Sequence, residues 1–477
     1  MKMAREILYL KIAKILENQI LSETFRTGDK LPSLRSIQKI YNVGLNTAQQ
    51  AYTLLESKSL IISKPKSGYF VSGASKRKLA LPSVSNPIVT EAKNKTEYLT
   101  YKVFDILRDK SVRQFSLGVP DEKLLPIAKL NKGMVKVMRE LDGSGTAFEP
   151  AQGSLNLRRN IAKWSFVTEG KLSEDDIVTT LGTMNAIYLC LIAVTKPGDT
   201  IATESPVYFG ILQLAKSMGL KILELPTHPV TGLDLNALKD NIDKINVCCF
   251  TCNFNNPMGS LMPDENKKAL VEMLTYYNIP LIDDDLFGVL HFGDKRPKLC
   301  KNYDEAGIIM SCGGFSKTLA PGYRIGWVEP GKFKEKVLWN KLVQTVAMPS
   351  FLQEVIADFM ENGRYDHHLR ILRQTLHSNC LKFQNVIEEF FPENTKISQP
   401  QGGFFLWLEL DKKINTRELY DIAIGQKISF VPGSLFTGHN QFNNCMRLNF
   451  ALKWDENVEQ DLIRLGNLVK KQINLSP

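Results

Sequence analysis

Near the N-terminus, apolar positions recur with helical spacing. Ile7, Leu8, Ile12, Ile15, Leu16 and Ile20 fall on one face and predict an amphipathic helix. Gly28-Asp29 predicts a turn, after which Ser33 is placed as the N-cap of a short helix reaching Tyr41, with Pro32 just outside it. Asn42-Val43-Gly44 supplies the next turn. A third helix is predicted over residues 46–57, with Ala51, Leu54 and Leu55 facing inwards. Residues 60–63 and 69–72 then read as two strands joined by Lys64-Pro65-Lys66-Ser67-Gly68. Three helices and a two-stranded ribbon make residues 1–73 a small α+β module.

The next stretch, residues 74–115, lacks sustained periodicity. It contains Pro82, Pro87 and several Ser, Asn and Lys residues, and reads as a linker in which residues 98–107 are apolar enough for a short helix. From residue 116 to 477 the pattern changes again. Apolar, β-branched runs at 177–180, 200–203, 222–225, 247–251, 280–282, 308–311 and 325–328 alternate with helical patterns. That alternation predicts an α/β domain with a mainly parallel sheet, whose ligands bind where loops leave the strand ends.

Charge alters the picture more than composition does. An apolar content of 43 % with 23 % charged residues is ordinary for a globular chain, and 477 residues suffice for two or three domains. No apolar run approaches the roughly 20 residues of a membrane span, and the N-terminal M-K-M-A-R-E leads into a helical pattern, unlike a signal peptide. The eight cysteines are scattered. The one cluster, Cys248, Cys249 and Cys252, has no second pair at metal-binding spacing, so it reads as strand core in a reducing cytoplasm, with no metal expected. The net charge of +10 is concentrated: residues 1–80 hold 14 Lys/Arg against 5 Asp/Glu. A basic module of this topology predicts a winged helix-turn-helix whose third helix enters the major groove of double-stranded DNA.

Three motifs carry a resemblance here: L-P-S-L-R at 31–35, N-T-A-Q-Q-A-Y-T-L-L at 46–55 and S-G-Y-F-V at 67–71. Their order and spacing resemble the GntR-type winged helix. The resemblance implies DNA contacts from Arg35, from Asn46, Thr47, Gln49 and Gln50 at the start of the third helix, and from Lys64, Lys66 and Gly68 in the wing. Gln and Asn suit adenine edges, and lysines suit phosphates. Leu45-Asn46 stands where many relatives carry Ser-Arg, so one base or phosphate contact is altered.

The chemistry of the large domain centres on G-G-F-S-K-T-L-A-P-G-Y-R-I-G-W at 313–327. Lys317 is flanked by small and hydroxyl residues, and Arg324 follows seven positions later. Partial desolvation and a nearby cation lower a lysine's pKa towards the neutral amine that attacks an aldehyde. Ser316, Thr318 and Arg324 offer donors to a phosphate. The stretch resembles the cofactor-lysine signature of fold-type I enzymes of pyridoxal 5′-phosphate (PLP), which implies an aldimine at Lys317.

Further landmarks of the aminotransferase-like fold follow in order. N-P-M-G at 256–259 implies that Asn256 donates to the ring's phenolic oxygen. Asp283, Asp284 and Asp285 leave the carboxylate that meets the pyridine nitrogen open by one position; Asp284 is favoured because Phe287 then falls at a family tyrosine. G-T-M-N-A-I at 182–187 resembles the phosphate-cup turn, implicating Thr183 and Met184 at a helix N-terminus. E-S-P-V-Y at 204–208 places Tyr208 on the ring face, and M-R-L-N-F-A at 446–451 places Arg447 against a substrate or effector carboxylate. Three positions lack a hydroxyl the family carries. Phe287 replaces a donor to the phenolic oxygen, predicting a raised aldimine pKa. Phe148 replaces a tyrosine that reaches the neighbouring subunit's phosphate, and Gly314 stands where a phosphate-binding serine is common, predicting weaker phosphate holding.

A GntR-like head joined to an aminotransferase-like domain is identified as the layout of MocR-type transcriptional regulators. It implies a homodimer that senses PLP or an amino compound at Lys317 and transmits this to DNA. The alternative is a working aminotransferase that carries a DNA-binding head.

Overall fold

In a computed structural model, described over residues 8–22, 24–57, 60–64, 67–72, 79–87, 97–106, 109–166, 172–361 and 363–475, the N-terminal pattern closes into α1 (Leu8–Leu21), α2 (Leu34–Tyr41), α3 (Leu45–Ser57) and an antiparallel ribbon, β1 (Ile61–Lys64) with β2 (Gly68–Val71). Ser33 caps α2, its hydroxyl accepting from the Ser36 amide, and Asn42 ends the helix in the left-handed conformation. The inward face of α3 is Ala48, Ala51, Tyr52 and Leu55, at helical spacing, packed on Ile12, Leu16 and Ile37. Leu54, expected inside, is only half-buried because it lies off that stripe. Tyr52 reaches across the module: its hydroxyl donates to the Pro32 carbonyl at 2.6 Å and its ring meets Tyr69 edge-on.

Part of the expected linker is an extended strap on the large domain. Ala80 accepts from the Ile397 amide, Ser83 donates to Glu409 through its amide and hydroxyl, and the Ser85 hydroxyl accepts from the Thr227 amide. Such a segment bonds through its backbone and short hydroxyl side chains and shows no periodicity in sequence. The expected short helix runs Glu97–Asp105, with Val103 buried in the main core. Residues 74–78 and Leu107 lie outside the described residues.

The large sheet has eight strands in the order β4-β11-β10-β9-β8-β5-β6-β7. These are β4 (Val178–Thr180), β5 (Thr200–Ser205), β6 (Lys221–His228), β7 (Gly232–Leu233), β8 (Val247–Phe250), β9 (Leu281–Asp284), β10 (Ile309–Gly314) and β11 (Gly326–Glu329). The pairs from β10 through β9, β8 and β5 to β6 are parallel; β11 and β7 are antiparallel to their neighbours. All seven expected strands are present. Two residues of β3 (Arg113–Gln114) pair with β14 (Ile428–Ser429). A smaller antiparallel sheet, in the order β12 (Lys396–Ile397), β13 (Phe405–Glu409), β16 (Cys445–Asn449), β15 (Val431–Pro432), packs with the long helix Arg364–Phe390 in the main hydrophobic core.

Candidate functional site

The parallel strands all end at one edge, and the polar residues singled out in sequence emerge there. Tyr208 follows β5, Asn256 follows β8, Asp284 closes β9, and Ser316 and Lys317 follow β10. Arg324 leads into antiparallel β11, so it reaches the same edge, and β16 of the smaller sheet brings in Arg447.

Lys317 is half-buried, and its Nζ donates to the Gly118 carbonyl at 2.5 Å. Burial lowers its pKa to about 8, helped by the Arg447 and Arg324 cations and opposed by the Asp284 carboxylate. Asp284 is raised to about 7 by burial and by Asp285, while Lys317 draws it down. Burial also raises the Tyr208 phenol, with Arg447, Asp284 and Arg324 close enough to modulate it. These five groups at the strand ends thus act on one another electrostatically.

The aspartate triplet separates by strand alternation. Asp285 is held by Arg296 at 2.5 Å and by Asn253 at 2.7 Å, and Asp283 accepts from the Cys300 amide. Asp284 alone points to the Lys317 side, where its Oδ1 is buried without a hydrogen-bond donor. Glu204, fully buried at the end of β5 and in register with Asp283, accepts from the Thr251 amide and is raised to about 8 by desolvation. It is mainly protonated at neutral pH and adds little negative charge at the strand ends. The sequence reading used its motif only for Tyr208 and missed it.

Arg447 is wholly buried. Nη1 donates to Asn256 Oδ1 at 3.1 Å, Nη2 to the Ser116 carbonyl at 2.6 Å, and Nε has no partner. Its guanidinium lies over the Phe405 ring at 4.1 Å. Phe287 packs edge-on against Phe404 and Phe405, one ring away from that cation.

A second cluster forms where the helix Thr183–Val194 begins. Arg324, left-handed at φ 55, donates from Nη1 to Ser316 Oγ at 3.0 Å and from Nη2 to the Leu181 carbonyl at 3.3 Å. Gly182 has a positive φ, and a Cβ there would run into the Arg324 guanidinium. Thr183 donates to the Gly313 carbonyl at 3.2 Å, while Met184 packs into the core beneath the helix. Gly314 proves to be a steric requirement: its Cβ would stand 2.6 Å from Thr183 Oγ1. A serine there has no room, and the threonine hydroxyl already fills that place.

These features fit PLP. The exposed Arg324, Ser316 and the amides opening the Thr183 helix make a cradle suited to a phosphate. The unpartnered Oδ1 of Asp284 suits a protonated ring nitrogen, and Lys317 is an amine of lowered pKa beside it. In the head, Arg35, Asn46, Gln49, Gln50 and Gly68 are exposed and Thr47 is half-buried. Lys66 and the Lys64 side chain lie outside the described residues.

The comparisons agree with this layout. Residues 115–465 match the family model "Aminotransferase class I and II", and residues 8–71 match "Bacterial regulatory proteins, gntR family". The HTH-type transcriptional regulator YdcR of Escherichia coli is 33 % identical over 98 % of this chain and 99 % of its own. NorG, an HTH-type transcriptional regulator of Staphylococcus aureus, is 26 % identical over 93 % of this chain and 100 % of its own. The crystal structure of Pyrococcus horikoshii kynurenine aminotransferase superposes with a TM-score of 0.74 at 26 % identity, covering 80 % of this chain and 96 % of that one. Among the described residues no helix is long and apolar enough to cross a membrane. The chain therefore belongs to the class I and II aminotransferase family and, with its GntR head, is a transcriptional regulator of the MocR type.

Proposed function

We propose that DNA binding by this regulator responds to PLP, or to an amino compound captured with it, at Lys317. The observation that carries this reading is the convergence of Lys317, Asp284, Asn256, Tyr208 and Arg447 from separate strands on one sheet edge. When bound, PLP supplies an aldehyde that condenses with primary amines. The chain's own groups then have distinct tasks. Lys317 presents the amine, and Asp284 holds a proton on the ring nitrogen. Asn256 would donate from its amide, and Tyr208 would stack against the ring. Thr183, Met184, Ser316 and Arg324 contribute the phosphate cradle through side chains and helix-terminal amides. Arg447, buried with Nε free, is the anchor for an effector carboxylate.

In the head, Arg35, Asn46, Thr47, Gln49, Gln50, Lys64, Lys66 and Gly68 meet double-stranded DNA. Phe148, 86 % exposed, supports a homodimer in which this side chain is covered by the partner, and two heads then read repeated half-sites. An effector changes DNA affinity only by binding two arrangements of the protein unequally.

A second reading, turnover as an aminotransferase, is favoured by the completeness of the polar set around Lys317. An absorbance titration distinguishes the two. The regulator reading expects a PLP-dependent visible band in wild type, absent in Lys317→Ala, that shifts with one amine and then persists. Steady loss of the band with the amine, reversed by a keto acid, would favour the enzyme. No Lys317-dependent band would remove both.

A further inference from the structure

All eight cysteines are free and buried, and two that lie in connecting segments meet each other. Cys248 and Cys249 lie within β8, as expected, but Cys252 stands two residues beyond its end and meets Cys300, sulfur to sulfur, at 3.5 Å. Asp283 of β9 completes the group: its carboxylate oxygen and the two sulfurs lie within 4.8 Å of one another. Asp283 is fully buried, and its Oδ1 has no hydrogen-bond donor. Lys267, equally buried on the helix Asp264–Tyr276, has an Nζ without a hydrogen bond, its nearest carboxylate being Asp264 at 3.5 Å.

A buried carboxylate oxygen left without a donor is costly, and a cation relieves it. We propose that Cys252, Cys300 and Asp283 bind a thiophilic divalent cation of the zinc class. Two thiolates and a carboxylate suit such an ion, which takes sulfur at roughly 2.3 Å in tetrahedral geometry and so holds two sulfurs roughly 3.8 Å apart. The observed 3.5 Å needs little adjustment. Binding releases the two thiol protons, together with any proton on the Asp283 carboxyl, to solvent. The three negative charges of the ligands are then balanced by the divalent ion together with the Lys267 ammonium. Water supplies the fourth position.

The site lies on the Asp283 face of the sheet, opposite the Lys317 side, and is separate from the PLP residues. Its effect on them is mechanical. The ion ties the segment after β8 to β9 and to the turn Cys300–Tyr303. Cys252 is followed by Asn253, which donates to Asp285 at 2.7 Å, and then by the loop carrying Asn256. The ion would stiffen the segment that positions Asn256.

The test uses the full-length, metal-free protein equilibrated with Co2+, whose ligand-field bands lie beyond pyridoxal absorption, and with Zn2+ followed by elemental analysis. We expect about one ion per chain, with sulfur-to-cobalt charge transfer. Cys252→Ser and Cys300→Ser should each weaken binding by at least about 100-fold, more than an outer-sphere change does. No retained ion in wild type, or undiminished retention in Cys252→Ala/Cys300→Ala, would overturn the proposal. Should the variants fail to fold, wild type still decides: Zn2+ should shield Cys252 and Cys300 from a maleimide during partial unfolding. Failure to shield them, or a Cys252–Cys300 disulfide as the product of aerobic metal treatment, would overturn it.

Discussion

Arg447 Nη1 donates to Asn256 Oδ1 at 3.1 Å, and this bond fixes which way the asparagine amide faces. With Oδ1 turned to the guanidinium, the NH2 group is presented away from it, free to donate to a ligand. Arg447 thus has three tasks: it orients Asn256, it ties β16 to the Ser116 carbonyl, and its charge depresses the Lys317 pKa.

The last task gives a pH prediction. Lys317 reacts as the neutral amine, so in wild type the rate of PLP-band formation should rise with pH through about 8. Arg447→Met removes a cation that lowers this pKa, so the midpoint should move upwards and the rate at pH 7 should fall. Arg447→Lys keeps the charge and should hold the midpoint. Stopped-flow absorbance across pH 6–10 checks this, and equal midpoints in wild type and Arg447→Met would contradict it.

Asp284 carries an opposite pair of effects. Its folded-state pKa, about 7, lies above the ordinary carboxylate value, so ionising it opposes folding progressively as pH rises from about 4 to about 7. Asp284→Asn should therefore stabilise the PLP-free protein, more at pH 8 than at pH 5. The same change removes the proposed partner of the ring nitrogen and should weaken PLP binding about 10- to 100-fold, the worth of a charge-assisted hydrogen bond. Thermal melts with and without PLP read both effects.

Gly314 and Thr183 compete for one place. Gly314→Ser puts a Cβ 2.6 Å from Thr183 Oγ1 and should lower stability by about 1–3 kcal/mol without tightening PLP binding. Adding Thr183→Ala should recover much of that loss, giving a non-additive double-mutant cycle. Denaturant unfolding of the four proteins checks it; additive losses would mean that the strain lies elsewhere.

In the head, Arg35→Ala should weaken binding to all DNA sequences and reduce the salt slope by about one, as a phosphate contact does. Gln50→Ala should instead relax discrimination at one base pair, costing about 1–3 kcal/mol there. Tyr52→Phe should cost the head about 1 kcal/mol through the lost bond to Pro32. DNA titrations at several salt concentrations, with thermal melts for Tyr52→Phe, separate these effects.

The repeating elements were legible in sequence because periodicity records burial directly. The seven main strands and the three head helices follow from it; the preference for Asp284 comes instead from the family resemblance, and strand alternation in the structure separates it from its neighbouring carboxylates. Contacts made by backbone atoms left no such trace. The Gly118 carbonyl that receives Lys317, the Ser116 carbonyl that receives Arg447 and the Ala80 carbonyl that receives the Ile397 amide in the strap have no side-chain signature. The tight approach of Thr183 Oγ1 to Gly314 likewise left no trace in the sequence, because an absent side chain does not show what occupies its space. The meeting of Cys252 with Cys300, 48 residues apart, depended on sheet order.

The most direct measurement is the operator affinity of the full-length protein, wild type and Lys317→Ala, with and without PLP and with an amine that shifts the visible band. The account predicts that ligand changes wild-type affinity by at least about 5-fold, the lower range of allosteric coupling, and leaves Lys317→Ala unchanged. Equal wild-type affinity in every ligand state, with the Lys317-dependent band present, would contradict it.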